Sequence, residues 1–377
     1  MTEPLRVLHI TSVLRAAGIE SFIMNMYRAV DRQKVQFDFL VMRDEKEFWD
    51  DTIERLGGRK YGAQIPPASS ALDRVKKESA YLESFLKTHH YDIVHIHATT
   101  PLKAPYLKAA KKAGVPVRIY HSHSAYVSGK SKLKYIMYRV FQRMIARYAT
   151  HYFACSQAAA DWMYPKKLVQ SGKVEVIPNG IDVDKFRYSA EKRGECRAEL
   201  DIPQDAFVIG HTGRFTAQKN QKFVIDVFSE LVQVMPNAEL ILLGAGDLLE
   251  DVMTYAQSSG SPDKIHFLGV RPDVDRVLSA MDAYVMPSLY EGLPVAAVEA
   301  ECAGLPCYLS KNITREVAFT EQVQFLDLGD GAANWARTIA QHMAKYERSA
   351  GAVAVARHGY DISRAAQRLQ QFYLSVA

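Results

Sequence analysis

Two carboxylates stand eight residues apart in SLYEGLPVAAVEAECAGLP, Glu291 in the turn before an apolar helical run and Glu299 inside it. At 3.6 residues per turn, Glu299 lies about one and a half turns into that helix. An ionised carboxylate only accepts hydrogen bonds and can take two donors, so each of the pair suits vicinal sugar hydroxyls. Pro294 fits a first helical turn, where its missing N–H costs nothing. The free amides from Gly292 through Leu293 to Val295 then suit phosphate or sugar oxygens. The plainer alternative is that Glu291 only complements the helix N-terminus and Glu299 is solvated.

Further candidates follow other apolar runs. After FVIGHT come Gly213, Arg214 and Lys219, with a helical pattern beyond them. Arg as a bidentate fork and Lys as a point charge suit a diphosphate, although taken alone they also read as exposed loop cations. Gly244 and Gly246 in LILLGAGD are explained as well by a tight turn. The turn from Leu268 through Gly269 and Val270 to Asp273 offers backbone groups to a planar base. In YHSHSAY, His121 and His123 share a face if the strand continues. A neutral imidazole there donates to a sugar hydroxyl without placing charge beside a developing cation. Gly18, after the first apolar run, opens either an anion-facing helix or a simple βα turn.

Strands must end beside these residues, and the apolar runs supply them. The first half predicts strands at 6–11, 36–41, 92–97, 117–122, 151–156 and 174–178. The second half predicts 207–212, 238–244, 265–269, 283–287, 305–310 and 323–327. Helical patterns alternate with them, which predicts an α/β protein of two doubly wound, Rossmann-like domains. The rhythm breaks from Pro178 to Ala206, where Pro, Gly and mixed charge replace apolar periodicity. We therefore expect one domain at 1–182, joined by a C-terminal helix at 360–377, and a second at 183–359. Open α/β sheets bind ligands beyond the carboxyl ends of their strands, so a shared cleft is expected.

With 377 residues, 48% hydrophobic and 24% charged, the chain is long enough for two ordinary cores. Cys155, Cys196, Cys302 and Cys307 lack metal-ligand spacing, and all but Cys196 have apolar neighbours. No run of 18 apolar residues occurs and MTEPLRVLHIT has no signal-peptide core, so a cytoplasmic protein is expected. Between Asp92 and Asp161 there is no acidic residue, while Lys103, Lys130, Arg139, Arg143 and Arg147 all fall inside. Here SKLKYIMYRVFQRMIARYAT predicts a helix with Leu133, Ile136, Met137, Val140, Phe141, Met144 and Ile145 on one face. Its arginine face suits anionic lipid headgroups at the inner face of a membrane, an anionic substrate, or solvent alone. No recognition motif supports nucleic acid.

EGLPVAAVE after MPSLY, GRFTAQKN upstream and VIPNGID at the break together resemble the GT-B glycosyltransferases of family GT4, across essentially the whole chain. The resemblance implies a retaining, metal-independent hexosyltransferase. Its nucleotide-sugar donor, UDP-linked rather than GDP-linked, is held by the second domain and its acceptor by the first. It assigns Arg214, Lys219, Gly18 and Leu293 to the donor diphosphate, and Glu291, Gly292 and Glu299 to sugar and ribose. Leu268, Gly269 and Val270 fall to the base, and His123, or else His121, stands beside the reacting sugar. The first loop departs from the family's Gly-Gly, reading Ala17-Gly18-Ile19-Glu20. Asp182/Asp184 and Asp273/Asp275 resemble the metal motif of the other common glycosyltransferase fold, but at a linker and a turn they read as caps or surface groups. The implied acceptor is a lipid-linked or membrane-proximal glycan. A nucleotide-sugar epimerase and a non-catalytic nucleotide-sugar-binding regulator are the alternatives.

Overall fold

The computed structural model describes residues 3–15, 18–43, 45–124, 132–343, 348 and 350–377. The chain divides into two compact units, Met1–Gly180 with Ile362–Ala377, and Ile181–Asp361. In the first, β1 (Leu5–Thr11), β2 (Val35–Val41), β3 (Lys60–Gly62), β4 (Ile93–Ala98), β5 (Val117–Ser122), β6 (His151–Ala154) and β7 (Val174–Val176) form a parallel sheet in the order β3-β2-β1-β4-β5-β6-β7. In the second, β8 (Phe207–Thr212), β9 (Ala238–Leu243), β10 (Ile265–Phe267), β11 (Ala283–Met286), β12 (Cys307–Ser310) and β13 (Val323–Leu326) form another, ordered β10-β9-β8-β11-β12-β13. Both are α/β and doubly wound. Central strands β4 and β8 are buried along their full length because helices cover both sheet faces.

Every strand predicted from an apolar run is present; β3 was not predicted. At three half-buried residues it is too short to show a period. The helix Ile362–Val376 belongs to the first unit, where the side chain of Gln370 caps the Asp31 amide (2.7 Å) and Arg368 pairs with Glu175 (2.8 Å). Tyr373 on that helix is fully buried.

The basic helix, Lys132–Tyr148, turns differently from its apolar pattern. Tyr138, Gln142 and Ile145 face inward, whereas Ile136 and Val140 are exposed beside Arg139 and Arg143. Trp162 sets this orientation: its carbonyl accepts from Gln142 Nε2 (2.8 Å), and its ring meets Tyr138 edge-on. Lys130 and the side chain of Leu133 lie outside the described residues. Cys196, expected in polar surroundings, is buried like the other three cysteines.

Candidate active site

In the second unit the chain runs outward from β8 to β10 and returns at β11, so strand order reverses between β8 and β11. Such a switch point parts the loops after the two strands and opens a crevice at their carboxyl ends. Three hydrogen bonds tie these loops together: Leu289 N to Gln218 O (2.8 Å), Gln218 Nε2 to Tyr290 O (2.9 Å) and Asn220 Nδ2 to Pro287 O (3.2 Å). Asn220 takes the left-handed conformation (φ 57°), which asparagine tolerates, and opens helix Gln221–Val234. Here Lys219 Nζ meets Glu291 Oε1 at 2.7 Å, with both side chains largely shielded. Arg214 stands out in solvent, and its 3.8 Å contact with the exposed Asp247 is too loose to hold it.

Gly244 and Gly246 are required by packing. A Cβ on Gly244 (φ +137°) would stand 2.1 Å from the Gly213 carbonyl oxygen, and one on Gly246 2.4 Å from that of Phe215. The loop after β9 therefore presses on the loop carrying Arg214. Gly269, at φ +63°, accepts the Gly244 amide at 2.8 Å. This fixes the turn Leu268-Gly269-Val270, with the Val270 side chain exposed. Arg271 braces the same turn through Asp273 (2.7 Å) and Glu199 (2.8 Å).

The helix Val295–Cys302 begins at Pro294, whose carbonyl takes the amides of Ala297 and Val298. The amides before them point out of the helix end, as first-turn donors must. No neighbour lies within 4 Å of a Cβ built on Gly292, so packing alone does not demand glycine there. Burial raises Glu299 to about 7, against the pull of Lys185. Glu301, two residues on, does structural work by accepting from the Phe319 and Thr320 amides.

In the first unit, His123 and His121 do share a face, with ring centroids 4.1 Å apart. His121 is fully buried, bonded to His95 (3.1 Å) and packed against Phe22; His123 is only half-buried and bonds to His97 (2.8 Å). Sequence reasoning missed three further histidines, His9, His95 and His97. The signal was the second H-x-H, in VHIHA on the strand beside YHSHS. Nitrogens of His9, His95 and His97, and of His97, His121 and His123, lie within 4.8 Å of one another, near enough to share a metal ion. Their 2.8 to 3.1 Å pairings are those of hydrogen-bonded imidazoles. Burial holds the five rings uncharged, lowering His9 and His123 to about 3. A cavity of about 160 Å³ lined by Thr11, Glu20, His97 and Lys103 adjoins them, and burial brings Lys103 down to about 8. Gly18 opens the helix Gly18–Ala29 from an exposed position, and Ala17 lies outside the described residues.

The paired aspartates have partners of their own. Asp182 caps the Lys185 amide and Asp184 meets Arg187, while Asp273 is bound to Arg271. Asp275 departs from the surface reading: it is buried and paired with Lys192 at 2.6 Å.

Two Rossmann-like units with parallel sheets define the GT-B class of fold. The Anabaena protein HepE in complex with UDP and glucose superimposes with a TM-score of 0.76 at 20% identity, over 98% of this chain and 100% of that one. Sucrose-phosphate synthase of Thermosynechococcus elongatus gives 0.77 at 17% identity over 99% of each chain. Residues 16–185 match Glycosyltransferase Family 4 and residues 192–350 match Glycosyl transferases group 1. A putative glycosyltransferase of Bacillus subtilis, EpsF, is 33% identical over 373 residues, 98% of this chain and 96% of the relative. The Escherichia coli UDP-Gal:alpha-D-GlcNAc-diphosphoundecaprenol alpha-1,3-galactosyltransferase is 26% identical over 318 residues, 81% of this chain and 79% of that one. The chain belongs to the glycosyltransferases, with a family 4 N-terminal domain and a group 1 C-terminal domain.

Proposed function

We propose that the protein is a retaining, metal-independent transferase that moves a hexose or N-acetylhexosamine from a UDP-sugar to a lipid-linked or membrane-proximal glycan acceptor. The observation that carries this reading is the joining of the β8 and β11 loops through Lys219 and Glu291 beside the open end of helix Val295–Cys302. Cleaving the anomeric C–O bond leaves negative charge on the diphosphate. Lys219 and the amides around Gly292 and Leu293 supply fixed positive potential for it, and Arg214, unrestrained in the free protein, is available to add its charge, which is the basis for reading the transfer as metal-independent. When the diphosphate takes Lys219, Glu291 is released to accept from a sugar hydroxyl, and Glu299 accepts from the ribose. Leu268, Gly269 and Val270 offer the rigid turn against which a base can lie, and Gly18 a helix start for the donor phosphates. His123 is the imidazole assigned to the reacting sugar, and uncharged it does not oppose a developing positive charge.

The UDP preference is supported by the UDP complex of HepE and by the UDP-Gal-dependent E. coli relative, and the latter's diphosphoundecaprenol substrate supports a lipid-linked acceptor. A cavity of about 670 Å³ in the first unit, lined by Arg43, Glu45, Gln64, Ser70 and Arg74, has the size and the polar groups for part of a glycan. Calorimetric titration in EDTA with UDP, GDP, ADP and their sugar conjugates tests the reading. Binding of UDP and its conjugates is expected, lost in Arg214→Ala/Lys219→Ala. Absence of binding by any diphosphate would remove the diphosphate assignment.

A further inference from the structure

The histidines of β1, β4 and β5 form a staircase dictated by sheet register. His9 is paired across the sheet with His95, and His97 with His121. Each hydrogen bond climbs two residues further along the next strand: His9 Nδ1 to His97 Nε2 (3.0 Å), then His97 Nδ1 to His123 Nε2 (2.8 Å). A second run joins His121 Nδ1 to His95 Nε2 (3.1 Å) and His95 Nδ1 to the Tyr373 hydroxyl (2.6 Å). Only the first run reaches a ring that is partly exposed.

A neutral imidazole carries one N–H, so a chain of three can be arranged in two ways, all donors pointing toward His123 or all away from it. The far end decides between them. His9 Nε2 is buried without a partner among the described residues, in a ring environment that includes Phe37 (centroids 4.1 Å apart) and Phe39 (5.8 Å). A buried N–H without an acceptor is the rarer and costlier orphan, and both terminal nitrogens are buried, but only His9 has its whole ring enclosed in the core, so the lone pair belongs at His9 Nε2. His9 then donates to His97, His97 donates to His123 Nε2, and the remaining proton of the chain sits on His123 Nδ1. That nitrogen is also buried and has no partner among the described residues, but its ring is partly exposed, so this end of the chain is the one left for a ligand oxygen.

We propose that His97 and His9 are positioning residues that hold His123 in one tautomer, as an uncharged donor through Nδ1–H. The role rests on the reading of His123 as the imidazole facing the reacting sugar, and it assigns work to two residues that would otherwise pass for core. The second run, anchored by Tyr373, keeps His95 and His121 from competing for the nitrogens of the first.

Nitrogen NMR of the full chain labelled at histidine reads the tautomers directly. The expected result is Nδ1–H at His9, His97 and His123; an Nε2–H or a cationic His123 in the wild type overturns the proposal. His97→Leu should lower kcat about tenfold or more while the donor KM moves less than about threefold. His97→Asn should recover most of the loss, since its amide nitrogen lies as many bonds from Cα as Nδ1 does. If His97→Leu does not fold, His9→Leu serves instead and should give His123 in mixed tautomers. Unchanged turnover and tautomer in the folded variants would sink the relay alone. Unchanged turnover in His123→Ala would sink the reading beneath it. Stoichiometric Zn²⁺ binding with an EDTA-reversible rise in Tm would make the cluster a metal site and overturn the relay.

Discussion

At the scale of single residues, the candidate site holds charges that cost the free protein stability. Glu299 is the clearest case, because burial raises its carboxyl from 4.5 to about 7. Between those values the folded state binds more protons than the unfolded chain, so stability falls as pH rises from about 4.5 and levels off above about 7. Glu299→Gln removes that penalty. Since the side chain is partly exposed, the variant should gain about 1–2 kcal/mol over wild type at pH 8 and little at pH 4.5, by urea denaturation. The same substitution should weaken nucleoside diphosphate binding about tenfold, because an amide presents one acceptor oxygen where the carboxylate presents two. A gain in stability together with a loss of affinity marks a binding carboxylate, whereas a solvated one would show neither.

At the scale of elements, the β8 loop is aimed by contacts remote from it. Arg197, fully buried on helix Ala190–Glu199, donates to the carbonyls of Ala280, Pro203, Gln204 and Ala206 and pairs with Asp282 at 2.7 Å. Asp282 in turn accepts the Val208 amide (2.8 Å) at the start of β8. This knot ties the helix to the two strands between which strand order reverses. Arg197→Leu strands several buried acceptors and a carboxylate, so it should cost about 3–5 kcal/mol in chemical denaturation. A cost below about 1 kcal/mol would mean that water replaces the guanidinium.

On the scale of the whole molecule, positive charge is concentrated in one stretch of one unit. The net charge is +5, yet the segment between Asp92 and Asp161 is free of acids. No helix among the described residues is long and apolar enough to cross a membrane. The helix Lys132–Tyr148 instead exposes Tyr135, Ile136 and Val140 next to Arg139, Arg143 and Arg147. Apolar side chains interleaved with arginines suit the headgroup boundary of an anionic bilayer better than solvent. The protein should sediment with vesicles containing phosphatidylglycerol at low salt and be released by high salt. Ile136→Ser/Val140→Ser should weaken retention without changing nucleotide affinity, and equal retention of wild type and variant would remove the membrane role from this face.

Much of this was legible in the chain. Parallel strands buried on both faces must be short apolar runs, so twelve of them and the break between the units could be read from residue types. The candidate groups could be picked out for a related reason: in a doubly wound sheet, ligand-facing residues follow the strands directly, and Arg214, Glu291 and His123 occupy such positions after β8, β11 and β5. Tertiary structure decided what depends on neighbours distant in sequence. Gly244 and Gly246 read as one tight turn until the Gly213 and Phe215 carbonyls stood where a Cβ would go. Ile136 and Val140 belonged to the apolar stripe by periodicity, but Trp162 turned Tyr138 and Gln142 inward and left them outside. The pairing of Lys219 with Glu291 and the staircase from His9 to His123 join residues 72 and up to 88 positions apart, linked only through sheet order and register. A single sequence supplies residue type and local period; which strand lies beside which is settled only when the sheet assembles.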